Sequence, residues 1–309
     1  MDIHTDILIK TFPELSRHEP KNIDSSALGE VKKCPKAYFF RYVLGYTDKV
    51  EAQYFIFGKC YHKFKEVIEK SYKLNSTKDL DKIVAEGIQS ALVLWGTTKD
   101  LIPPTKYFWL SKARLIQCMM VAGKHWKNEK SIGKIEVLET EQPFIVHVTD
   151  TITRSGRFDQ VIKLNNKIWG RDFKTTTQNE IFFERGLDPN DQFIGYTFAQ
   201  QQLTGEPTQG QLVEVIYNER PTKTDPKNPE IKTNTVTYVK EQIDLWIREQ
   251  EIWDAQLRMY REKDLYPKNE KSCYNCKYHS ICKLKGDNQQ LLQLKSNYKV
   301  EVWDNSYED

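Results

Sequence analysis

No apolar run in this 309-residue chain approaches the length needed to span a bilayer; ALVLW is among the longest. The first ten residues, MDIHTDILIK, carry an early acid and lack the basic-then-apolar layout of a secretory signal. These two absences lead to the expectation of a cytoplasmic protein. No internal repeat is evident. A dominant charge is missing too: 46 basic residues stand against 43 acidic ones, a net charge of +3. Such a balance neither identifies nor excludes a polyanionic partner, because 29% charged residues of both signs can hide a local patch. Cysteine is scarce, six in all, and in a reducing compartment that favours metal or cluster ligation over disulfides. At this length the chain can bury a substantial core, as one large domain or as one with a subdomain.

The most informative stretch runs from Gly156 to Tyr196. Two runs rich in β-branched and aromatic residues flank a polar Asn165-Asn166 pair, which predicts a β-hairpin. Period-2 geometry puts Asp172 and Lys174 on one face of the second strand and turns Phe173 the other way. Asp159, on the first strand, reaches that face in a suitable register. Two convergent carboxylates make a hard-oxygen site suited to Mg²⁺ or Mn²⁺. A lysine beside them can orient an attacking water and neutralise charge on a phosphoryl group. The triplet alone proves little, since chance supplies about six acidic-x-basic triplets in a chain of this composition.

In chain order, residues 1–24 read as an N-terminal arm and 25–130 as a helical region. Pro35 restarts a helix just after Cys34, and KAYFFRYVLGY is apolar enough to pack. Phe57, Tyr61, Phe64 and Ile68 form one stripe of the next helix, with His62 one residue off it. Taken alone, His62 reads as a packing residue. Ser76-Thr77 is placed to cap a helix ending in ALVLW, and Pro103-Pro104 breaks the chain before a further amphipathic helix. Met119, Met120 and Cys118 in that helix read as core residues. Residues 131–240 hold three strands, a helix carrying Gln192 and Tyr196 four apart, and two more strands separated by the Pro221–Pro229 connector. Residues 241–309 begin with a long helix whose Leu245, Trp246, Ile252, Trp253 and Leu257 are expected to face inward. A cysteine segment and a polar tail follow, with KVEVWD as a last strand.

Cys273-x2-Cys276-x5-Cys282 has ligand spacing, and Cys34 stands alone far upstream. Four thiolates suit zinc, and they equally suit an iron–sulfur cluster; spacing does not decide between them.

G-R-F-D, D-F-K, Gln192-x-x-x-Tyr196 and the upstream Gly58-x-x-x-His62 together resemble the PD-(D/E)XK nuclease superfamily. Their order is similar to its RecB-like branch, with the CRISPR-associated and AddB-type iron–sulfur nucleases. The resemblance covers about residues 25–285 and implies an α/β restriction-endonuclease-like αβββαβ core with a mixed sheet. A helical subdomain precedes that core and a cysteine-cluster segment follows it; the element order read from the sequence agrees. It implies a metal shell of His62, Asp159, Asp172 and the Phe173 carbonyl. Lys174 is expected to act on the water, and Gln192 and Tyr196 to steady the lysine and a DNA phosphate. Glu139 and Glu141 are the candidates for a third carboxylate. It further implies a 4Fe–4S cluster on Cys34, Cys273, Cys276 and Cys282, a clasp that removes about 4–5 kcal/mol of unfolded-chain freedom on the entropic account.

The expected function is therefore an Mg²⁺- or Mn²⁺-dependent deoxyribonuclease, an exonuclease favouring single-stranded DNA. It would act in recombination, repair, phage DNA processing or CRISPR adaptation, with protein partners there. The alternatives are an assembly subunit with an idle nuclease centre and a zinc-stapled restriction-type endonuclease. Basic and aromatic residues interleaved over Lys32–Tyr46 offer a single-strand track, or else a core helix with solvated lysines.

Overall fold

The computed structural model describes residues 17–74, 78–98, 107–133 and 135–304. The Ser76-Thr77 cap, the Pro103-Pro104 break and most of the N-terminal arm lie outside these residues. In chain order the elements are α1 (Ser25–Lys33), α2 (Pro35–Tyr38), β1 (Tyr46–Asp48), α3 (Gln53–Leu74), α4 (Leu80–Thr98) and α5 (Lys112–Ile132). Then come β2 (Ile135–His147), β3 (Thr153–Leu164), β4 (Lys167–Thr176), α6 (Glu180–Glu184), α7 (Asp191–Thr204), β5 (Thr208–Tyr217) and β6 (Glu230–Val236). The last are α8 (Lys240–Glu262), α9 (His279–Cys282), α10 (Asp287–Asn297) and β7 (Tyr298–Val300).

The chain forms two compact units, each assembled from separated stretches. The consecutive blocks read from the sequence do not coincide with them. One unit takes the chain up to residue 49, residues 145–156 and residues from 244 onward; the other takes 50–144 and 157–243.

The first unit is built on aromatic packing. Asp24 caps α1 by accepting from the Ala27 amide at 2.7 Å, and Pro35 opens α2 where its missing N–H matters least. Tyr38, Phe39, Phe40 and Tyr42 are buried with Tyr266, Tyr278 and Ile281. The cations among them sit over rings: Lys32 over Trp253 at 5.1 Å, Lys36 over Phe39 at 4.9 Å, and Arg41 over Trp303 at 5.2 Å. Of the two readings of Lys32–Tyr46, the structure therefore gives the core helix. β1 pairs antiparallel with β7, Tyr46 opposite Val300, so the last strand is Tyr298–Val300 and not the longer KVEVWD.

In α8, Trp246 and Leu257 are buried as expected, whereas Leu245 and Ile252 are exposed. The buried stripe instead runs through Ile243, Trp246, Gln250 and Leu257, spaced for a single helix face. Gln250 is fully buried because its side chain accepts from Arg154 Nε at 3.0 Å.

The second unit holds a five-stranded mixed sheet in the order β2-β3-β4-β5-β6. β3 and β4 form the expected hairpin. Asn165 and Asn166 both take positive φ, 51° and 60°, the requirement of a two-residue type I′ turn. β4 and β5 run parallel, joined through α6 and α7, and β6 returns antiparallel. On one face Phe173 and Ile216 are buried with Phe57, Tyr61, Phe64 and Ile68 of α3 and with Leu115, Cys118 and Trp126 of α5. Val213 and Val215 are buried with Phe193 of α7. Met119 is fully buried, but Met120, one step around α5, is exposed and is no core residue.

Candidate active site and cysteine cluster

β4 carries the candidate residues Asp172 and Lys174 two places apart. Lys174 Nζ lies 2.7 Å from Asp172 Oδ2, so period-2 placement does put acid and base on one face. Residue pairing between β3 and β4 ends at Gln160 opposite Arg171. One step further on, the Phe173 amide donates to Asp159 Oδ2 at 2.8 Å. A side-chain carboxylate thus satisfies a strand amide there and is held beside Asp172. His62 Nδ1 approaches the same oxygen at 3.5 Å from α3. Glu141, one of two candidates for a third carboxylate, joins them: ligand atoms of His62, Glu141 and Asp159 lie within 4.8 Å of one another. Glu141 takes a left-handed φ of 53°, uncommon for glutamate, and its carboxylate pairs with Arg157 at 3.0 Å. Glu139 instead pairs with Lys73.

The electrostatics follow from burial. Asp172 is 2% exposed, and burial pushes its carboxyl up to about 6; Lys174 opposes this and the Asp159 charge adds to it. Burial would lower the pKa of Lys174, but the charges of Asp172 and Asp159 more than offset that and keep the ammonium charged. Glu141 is raised, first by burial and then by Asp159.

Gln192 and Tyr196 share one face of α7 but have different partners. Gln192 Nε2 donates to Asp172 Oδ1 at 3.4 Å. The Tyr196 hydroxyl donates to the Arg157 carbonyl of β3 at 3.0 Å, and its ring meets Phe158 edge-on at 5.4 Å. These contacts fix the acid and its strand.

Behind β4 lies a buried charge network with no signal in the sequence reading. Lys65, Glu69, Arg171 and Glu214 are all at most 2% exposed. Lys65 bonds Glu214 at 2.9 Å, Lys130 bonds Glu69 at 2.9 Å, and Arg171 reaches Glu129 at 2.7 Å as well as Glu214.

The four cysteines expected to act together all lie in the first unit. Cys34 is buried, Cys273, Cys276 and Cys282 are half-buried, and none forms a disulfide. Asn269 links two of them: its amide donates to Cys34 Sγ at 3.4 Å, and its carbonyl accepts from Cys273 Sγ at 3.8 Å. Burial raises Cys276 and Cys282, and each also feels the charge of Cys34. Cys60 and Cys118 lie elsewhere, fully buried, with thiols that burial pushes up to about 11 and about 12.

The sequence profile of the PD-(D/E)XK nuclease superfamily matches residues 25–283. The chain belongs to this superfamily. No curated protein matches it. Among solved structures it is similar to a candidate exonuclease from Eubacterium rectale, at 10% identity over 94% of this chain and 98% of that one, TM-score 0.49. It is also similar to SSO0001, at 13% identity over 82% of this chain and 93% of that one, TM-score 0.31. The αβββαβ order with a mixed five-stranded sheet is the restriction-endonuclease-like fold of the superfamily. Among the described residues no helix is long and apolar enough to cross a membrane.

Proposed function

We propose that the protein is a divalent-metal-dependent deoxyribonuclease, an exonuclease favouring single-stranded DNA. The observation that carries this reading is the meeting of Asp159, Asp172 and Lys174 where β3 and β4 cease to pair. Carboxylate oxygens with one imidazole suit Mg²⁺ or Mn²⁺, and a divalent ion would offset the charge of Asp172, a buried acid with Asp159 beside it. His62, Asp159, Asp172 and the Phe173 carbonyl would hold the ion, with Glu141 beside them. When bound, the ion supplies Lewis acidity and stabilises charge on the phosphoryl oxygens. Lys174, held charged, orients the attacking water and faces the negative charge that builds on the phosphate. Gln192 keeps Asp172 from rotating, and Tyr196 anchors β3 beneath Asp159.

The test is hydrolysis of end-labelled single-stranded and duplex DNA with Mg²⁺ or Mn²⁺. Chelation should stop it, and Asp172→Ala or Lys174→Ala should each slow it by about a hundredfold or more without loss of fold. Mononucleotide release from one end identifies an exonuclease. Full activity in either variant refutes the site.

We further infer that Cys34, Cys273, Cys276 and Cys282 hold a 4Fe–4S cluster. The donor set supports it: four cysteines in one unit, two of them tied through Asn269, with the cationic Lys33, Lys36 and Lys268 near enough to offset thiolate charge. Such a cluster would join α1–α2 to the segment after α8.

A further inference from the structure

The solvent side of α3 is unusual: Phe55 lies opposite the buried stripe, and Tyr54 stands at the stripe's edge, three residues before Phe57, with Tyr107 edge-on to it at 5.3 Å. Tyr54 and Phe55 sit side by side at the helix start, ring centroids 4.5 Å apart, 43% and 58% exposed. Further along, Lys59, His62 and Lys63 project from the same side as Phe55, since positions four, seven and eight residues on return to one helix face. All of them line one cleft of about 800 Å³ that also takes in Lys174, Arg157 and Glu141. A pair of exposed rings therefore opens onto the same space as the acids and lysine of the active site. Lys59 and Lys63 pair with Glu51 and Glu66, but these lysine side chains are 59% and 41% exposed, and pairs of that kind contribute little and exchange readily.

Resting on the nuclease reading above, we propose that the exposed face of α3 is a single-strand track: Phe55 and Tyr54 form a base-stacking platform, and Lys59 and Lys63 hold the phosphates that lead to His62. Bases stack on exposed aromatic rings whatever their identity, whereas a duplex keeps its base faces covered. At 1.5 Å per residue, Phe55 lies about 10 Å along the helix axis from His62, close enough for bases next to the reacting phosphate. The cleft's basic lining, Lys59, Lys63, Arg157 and Lys174 against Glu66 and Glu141, complements a polyanion. This face would make the active site select unpaired strands by what it stacks. The basic helix of the first unit cannot supply this, its aromatics being buried.

The experiment measures binding of fluorescent oligothymidine and of a hairpin duplex to the full chain in EDTA, by anisotropy over a salt series. Phe55→Ala should weaken oligothymidine binding by roughly five- to a hundredfold, change duplex binding less than about twofold, and leave the salt slope unaltered. Lys63→Ala should lower the slope for the single strand by about 0.7. Phe55→Trp should restore affinity, and an unchanged melting temperature in Phe55→Ala would show that the loss is not unfolding. Unchanged oligothymidine affinity in Phe55→Ala overturns the platform, as does an equal loss for duplex or no single-strand binding by the unaltered chain. If Phe55→Ala instead abolishes self-association in sedimentation while sparing DNA binding, the patch belongs to a second copy of the chain. Any of these in a chain that still cuts DNA overturns the track and leaves the nuclease reading standing. A chain that cuts no DNA with Mg²⁺ or Mn²⁺ fails the nuclease reading, and the track with it.

Discussion

Replacing Glu214 by Gln should be among the most damaging single changes outside the site. Glu214 is fully buried on β5, opposite Phe173 of β4, and touches Lys65 and Arg171. With Glu69, Glu129 and Lys130 these form a set of three acids and three bases. Removing one negative charge leaves an uncompensated cation among groups that water cannot reach. Breaking a buried pair in this way costs about 3–5 kcal/mol. At about 1.5 °C per kcal/mol for a chain of this length, the melting temperature should fall by roughly 5–8 °C. Calorimetry on Glu214→Gln, Lys65→Met and the double variant provides the check, with the double variant expected to lose clearly less than the two single losses added. Arg171 and Phe173 flank Asp172, and Lys65 lies 4.3 Å over the Phe173 ring, so the damage should loosen the strand that holds the acid and lysine. Metal affinity should therefore fall along with stability. A melting temperature within about 2 °C of the parent, or strict additivity, would refute the buried-network reasoning.

The same network sets the acid limit. Burial raises Glu129, but the His125 hydrogen bond and the charges of Arg171 and Lys65 prevail and hold it at about 2; Glu69 and Glu214 are likewise lowered against burial. Folded values below the unfolded one give stability that is present above about pH 4.5 and lost as pH falls towards 2, so Glu129→Gln should flatten the acid limb of a stability–pH curve. Tyr196→Phe keeps the ring contacts but loses the bond to the Arg157 carbonyl, and should cost about 1 kcal/mol in denaturant melts with a modest fall in rate. Protein purified without oxygen should be brown, with iron and sulfide each near about four per chain, whereas zinc would leave it colourless and sulfide-free. Cys34→Ala should lose metal and stability as fully as Cys276→Ala, and Cys60→Ala should keep its metal; unchanged metal in Cys34→Ala would remove Cys34 from the ligand set and leave His279, which lies between Cys276 and Cys282, as the nearest candidate for a fourth ligand.

What the sequence discloses here is whatever depends on local period. The Asn165-Asn166 turn, the shared face of Asp172 and Lys174 and the stripe from Phe57 to Ile68 are fixed by neighbours within a few residues. What it hides depends on what covers a face. Lys65 and Glu69 each follow a stripe residue by one place and look like solvated charges, yet both are fully buried because partners from other elements neutralise them. Leu245 and Ile252 err the other way, apolar residues left half-exposed by the described residues around them, while the polar Gln250 is buried with its carbonyl oxygen satisfied by Arg154.

The choice between Glu139 and Glu141 stays open in the sequence for a further reason. Along β2 these glutamates stand two places apart, and alternation puts both on one face. Only the left-handed backbone at Glu141 breaks that equivalence and brings its carboxylate to His62 and Asp159. The aromatic-basic pattern shows the same limit. Lys32–Tyr46 and Tyr54–Lys63 both interleave rings with cations, and composition ranks the first higher. In the first the rings are buried, with cations over several of them; in the second Phe57 and Tyr61 are buried but Tyr54 and Phe55 are exposed in a cleft that also holds His62. Interleaving is thus informative about a nucleic-acid track only once it is known which side of the helix the core occupies. On α3 the stripe Phe57, Tyr61, Phe64 and Ile68 decides that, and leaves Phe55, Lys59 and Lys63 to the solvent side.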